Sequence, residues 1–114
     1  ELLSFSSKST RDGVVLKWRT ESETNNAGFN LYSSNQKEGK FVKVNESLIK
    51  GAGTTSVPQE YRYFVEVEDG STLFYFVESV AFDGKTDRTE TIKVVAINTK
   101  RNLVTLWGRL KNMN

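Results

Sequence analysis

Residues 14–20 read Val-Val-Leu-Lys-Trp-Arg-Thr. Val14, Leu16 and Trp18 fall on one parity, and Val15, Lys17 and Arg19 on the other, so both charges lie on one side. A period of two with charge on a single face describes a half-buried antiparallel strand. Similar segments recur along the chain, punctuated by glycines at 13, 28, 39, 51, 53, 70 and 84. Turn signals spaced by about a dozen residues are the rhythm of a sandwich or barrel of short strands. Composition agrees: valine occurs 12 times and threonine 11 times, against 4 alanines. β-branched side chains suit a pleated surface, whereas alanine is the best helix former.

The expected strands are residues 2–7, 14–20, 28–33, 41–45, 61–67, 72–82 and 89–98. Residues 21–27 are polar, with consecutive asparagines, and read as a loop. Residues 47–60 hold two close-set glycines and Pro58, and can carry one short edge strand at most. Residues 72–82 are apolar on both faces, which marks a central strand or one covered from outside. In the last segment Ile92, Val94 and Ala96 stand opposite Lys93, Val95 and Ile97. Turns are expected at Arg11-Asp12-Gly13, at residues 68–71 and at Asp83-Gly84-Lys85. The expected count is seven strands, or eight with the edge segment.

The chain of 114 residues contains no histidine and no cysteine. A cysteine nucleophile, a Ser-His-Asp triad, a disulfide framework and the usual zinc sites are therefore excluded. No metal and no cofactor is expected. The net charge of +2 is too near balance for nucleic-acid binding by the whole domain. It is also uneven. Residues 99–114 carry Lys100, Arg101, Arg109 and Lys111 and no acid, for +4, while residues 1–98 carry 12 basic and 14 acidic groups, for −2. No apolar run of about 18 residues crosses a membrane, and no signal peptide is recognisable. Glu1 in place of an initiating methionine is what a processed chain, an excised domain or part of something longer shows.

Residues 14–20, followed by Glu21-Ser22-Glu23-Thr24-Asn25-Asn26-Ala27-Gly28-Phe29-Asn30-Leu31-Tyr32, resemble the start of a fibronectin type III-like module. The version is one common in large secreted bacterial proteins. Phe41-Val42-Lys43-Val44-Asn45 and residues 74–84 fit the same pattern, so the resemblance spans roughly residues 1–98. It implies an all-β, seven-stranded fibronectin type III/immunoglobulin-like sandwich at 1–98 with a short C-terminal appendage at 99–114. It further implies that Trp18 is the core tryptophan of the second strand, faced by Phe29 and Leu31 from the third. Leu16, Tyr75 and Val77 complete the expected core. The family's corner tyrosine falls on Leu73, so that its hydroxyl bond is missing or is supplied by Tyr75. An extracytoplasmic setting (secreted, periplasmic or cell surface) is also implied.

Several candidates for chemistry stand in the chain. Glu21 and Glu23, with Asn25 and Asn26 following, pair carboxylates that serve acid–base catalysis or calcium binding in other settings. Their more ordinary role is to order the loop by accepting backbone N–H bonds. Glu66, Glu68 and Asp69 form a second acidic group without an Asp-x-Asp-x-Asp-Gly calcium loop. Asn45-Glu46-Ser47 matches the N-glycosylation sequon, a short motif that arises by chance. Phe74 and Phe76 share one face of their strand, and Leu73, Tyr75 and Val77 the other, so one set needs a cover outside the core. In the tail, Leu103, Leu106, Trp107, Leu110 and Met113 recur at helical spacing as a basic amphipathic stripe.

The expectation is a non-catalytic structural and interaction module that docks or assembles larger proteins. Its contacts are placed at Phe74 and Phe76 and at Leu103, Leu106, Trp107 and Leu110. The partner is a protein or a neighbouring copy of the chain, with a carbohydrate-binding accessory role the alternative and a glycan the alternative ligand. Nucleic acid and a membrane span are not expected.

Overall fold

The computed structural model describes residues 2–97, and the expected appendage, with Leu103, Leu106, Trp107 and Leu110, lies outside them. Among the described residues there are nine strands and no helix. They are β1 (Leu2–Ser9), β2 (Gly13–Thr20), β3 (Glu23–Ser34), β4 (Val42–Lys43), β5 (Ile49–Thr55), β6 (Gln59–Glu66), β7 (Thr72–Ala81), β8 (Thr86–Arg88) and β9 (Ile92–Val95). A three-stranded sheet runs β1-β2-β6. The other sheet is built on the β3–β7 pair; β4 and β5 share the free side of β3, and β8 and β9 share the free side of β7. Every pairing is antiparallel.

The two sheets form a sandwich-like arrangement because each buries its apolar parity against the other. Val14, Leu16 and Trp18 from β2 meet Phe29 and Leu31 from β3 and Tyr75 and Val77 from β7, all fully buried. Val94 and Ala96 close the core, while Val95 and Ile97 on the opposite parity are exposed, as their alternation requires. Trp18 meets the Phe29 ring edge-on at 5.6 Å and stacks on Tyr61, its cross-strand partner in β6, also at 5.6 Å. Such ring pairs stabilise beyond simple area burial.

The structure departs from the expected strands in four places. Residues 21–27 are not a loop: β3 begins at Glu23 and continues to Ser34. The polar run is tolerated there because β5 pairs with it and because Asn25 takes φ 54°, a left-handed conformation that asparagine accepts, within a register shift. The 47–60 segment carries a seven-residue strand, β5, longer than the short edge strand expected. Its approach to β3 is so close that a Cβ at Gly28 would collide with the carbonyl oxygen of Ile49. The 41–45 strand shrinks to Val42–Lys43. The last expected strand, 89–98, shortens to β9, and an unexpected strand, β8, forms ahead of it; between the two, Thr89 bonds Val77 twice. Its N–H donates to the Val77 carbonyl at 2.9 Å, and its hydroxyl accepts from the Val77 N–H at 3.1 Å. Two of the three expected turns, at 68–71 and 83–85, form with glycine in the left-handed region, Gly70 at φ 89° and Gly84 at φ 90°.

Candidate interaction surfaces

Glu23 is 1% exposed at the start of β3. Its Oε2 accepts from the Thr20 hydroxyl at 2.9 Å and, through a short bond, from the Tyr61 hydroxyl. Its Oε1 accepts from Asn26 Nδ2 at 2.8 Å and from the Ala52 N–H at 2.8 Å. Thr20 and Tyr61 belong to the three-stranded sheet, and Asn26 and Ala52 to the other, so one carboxylate ties four strands across the sandwich. Burial acts to raise the Glu23 pKa, but the bonds from Asn26, Tyr61, Ala52 and Thr20 outweigh it and leave the group below 4.5. The Tyr61 hydroxyl is pushed up by burial first and by the Glu23 bond and charge next. The four donors hold the Glu23 carboxylate as an acceptor. Glu21 is exposed and does not share the cluster. The two glutamates therefore do not share one cluster, and Glu23 accepts from one backbone N–H and three side chains.

Asn45 of the sequon is 3% exposed. Its Oδ1 accepts from the Leu31 N–H at 2.7 Å, and its Nδ2 donates to Asn30 Oδ1 and to the Ser47 carbonyl, both at 2.9 Å. The nitrogen that glycosylation would modify is thus fully engaged. We expect Asn45→Ala to lower unfolding free energy by about 1–3 kcal/mol, because the Leu31 N–H loses its buried partner. Urea titration followed by tryptophan fluorescence measures this.

Leu73 and Tyr75 both face inward. The Tyr75 hydroxyl has no hydrogen-bond partner among the described residues, and neither has Trp18 Nε1. Tyr75 is therefore a core ring and does not supply the corner bond.

The outer face of the larger sheet carries an aromatic cluster. Tyr32 and Phe76 are cross-strand partners stacked at 4.9 Å, and Phe41 tilts against Phe76 at 5.1 Å. The Arg88 guanidinium sits 3.7 Å above the Phe76 ring, held by bonds to the Thr89 carbonyl and the Thr91 hydroxyl. Phe76 is consequently only 8% exposed, while Phe74 beside it is half-buried. The Tyr32 hydroxyl donates to Glu78 at 3.2 Å. Phe74 and Phe76 do lie together outside the core, and Phe76 takes most of its cover from its own sheet. The Arg88 and Phe41 contributions were not visible in the sequence, since both come from loop or short-strand segments without periodicity.

Glu66, Glu68 and Asp69 end β6 and enter the following turn. Among the described residues no group of three or more acidic side chains is placed to hold a metal ion. No helix among them is long and apolar enough to cross a membrane. A scan against protein-family models and a search of curated proteins both find no match.

Proposed function

We propose that this chain is a non-catalytic, extracytoplasmic interaction module of the fibronectin type III-like class, which docks or assembles larger proteins by burying surface. The observation that carries the reading is the aromatic cluster on the outer face of the larger sheet, where Tyr32, Phe41 and Arg88 gather around Phe76, with Phe74 on the same strand face. Aromatic rings and arginine are the side chains that anchor protein interfaces. The family reading is supported by a fully buried Trp18 on β2 faced by Phe29 and Leu31 from β3. The non-catalytic reading is supported by Glu23, whose carboxyl is lowered and saturated with donors.

The tail residues Leu103, Leu106, Trp107 and Leu110 are the second proposed contact element. Deleting residues 100–114 is expected to leave a folded domain that loses its partner or its oligomeric state. Sedimentation velocity of the truncated and full chains tests this, and an unchanged mass distribution with every partner retained defeats it.

A further inference from the structure

The outer face of the three-stranded sheet has a different character. Register places Ser6, Lys17 and Arg62 side by side across β1, β2 and β6, with Lys8, Val15 and Phe64 in the adjacent row. Neighbouring strands lie about 4.8 Å apart, so Lys17 and Arg62 are directly opposed like charges, an arrangement that costs stability. Lys8, Lys17 and Arg62 are all exposed, and none makes an ion pair with a carboxylate among the described residues. Arg19 adds a fourth cation on the same parity, opposite Glu60. Ser6, Ser7, Lys8, Thr10, Val15, Lys17 and Arg62 line a shallow depression of about 370 Å³, within the size range of small-ligand sites. Phe64, 50% exposed, is the cross-strand partner of Val15.

We propose that this face binds an anionic polysaccharide bearing uronic-acid carboxylates. The Arg62 fork matches a planar carboxylate and Lys17 and Lys8 supply point charges. Ser6 offers a hydroxyl to a sugar's own hydroxyls, and Phe64 beside Val15 gives an apolar patch for the C–H face of a ring. A single exposed ring does not make the series of stacking platforms that a nucleic-acid strand needs. Val15 and Phe64 alone are too small an apolar core for a stable protein interface. Residues 99–114 carry +4 and do not complement this face. The surface lies on the opposite side of the sandwich from Phe74 and Phe76, so the inference does not rest on the protein-docking reading.

The test is calorimetric titration of the full chain with sodium oligogalacturonate at low salt, beside neutral oligosaccharide, dextran sulfate (a polyanionic sugar without uronic acid), poly-glutamate and oligo-dT. Oligogalacturonate is expected to bind, to weaken as salt rises, and to lose tenfold or more in affinity in Lys17→Gln/Arg62→Gln. Phe64→Ser is expected to weaken it severalfold. The double variant should melt no lower than the parent, since it removes a repulsive pair, and this separates lost binding from lost folding. No binding, equal binding of poly-glutamate, dextran sulfate or oligo-dT, or binding that persists undiminished in the folded double variant through the basic tail overturns the proposal.

Discussion

Alanine at position 18 is expected to remove about 3–5 kcal/mol of unfolding free energy, the loss typical of a large buried ring cut back to a methyl group. Trp18 is fully buried, and its two ring contacts join β2 to β6 within one sheet and to β3 in the other. A domain of this size holds about 5–15 kcal/mol in total, and this chain has no disulfide to fall back on. The Ala variant therefore sits near the folding threshold, and a urea titration shows a midpoint displaced strongly toward zero. Trp18→Phe is expected to cost much less. It keeps a ring between Tyr61 and Phe29 and removes an indole N–H that has no partner among the described residues, so part of the lost packing is offset. Equal losses for Phe and Ala would mean that a smaller ring between Tyr61 and Phe29 does not hold the sheets together and that the full indole is required.

Glu23→Ala is expected to cost about 3–5 kcal/mol by a different route, because it strands the Asn26, Ala52, Thr20 and Tyr61 donors around an empty acceptor position. Glu23→Gln is expected to cost only about 1–2 kcal/mol. The amide oxygen can face Asn26 and Ala52, and the Thr20 and Tyr61 hydroxyls can rotate to accept from the amide nitrogen. The pH dependence has a definite sign. The native Glu23 pKa lies below its reference of 4.5, so its contribution is complete above that value and is lost as pH falls through the native pKa. Stability of the parent should decline on acidification below about pH 4.5, and Glu23→Gln should decline less steeply. Tyr61 acts at the other end. Its native pKa is raised above 10.0, so stability is complete below pH 10 and falls as pH rises beyond it. Denaturant midpoints measured from pH 3 to pH 11 check both limbs; a parent and Glu23→Gln variant with parallel acid limbs would remove Glu23 from the account.

These two residues mark where the sequence was legible and where it was not. Parity put Leu16 and Trp18 on the uncharged face of their strand, and the resemblance turned Phe29 and Leu31 toward Trp18; with the expected Tyr75 and Val77, all are fully buried. Glu23 was recognised as an ordering carboxylate, yet the segment around it was expected to be a loop. Side-chain chemistry such as Asn-Asn and Glu-x-Glu carries turn statistics, whereas its placement in β3 depends on β5 arriving alongside and on Tyr61 reaching across from β6. Those partners lie 29 and 38 residues away in the chain. For the same reason the outer aromatic face was foreseen at Phe74 and Phe76, but not its Arg88 cap, which a contact distant in sequence provides.

The alternation in residues 14–20 and its counterparts determined an all-β chain with Trp18 turned inward, because a strand's two faces are set by neighbours two residues apart. Strand length at 23–34, the appearance of β8 ahead of β9, and the opposition of Lys17 to Arg62 were decided only when strands paired. Pairing satisfies backbone groups and side chains from distant parts of the chain at once, so a polar run becomes strand where partners meet it, and two cations become one surface.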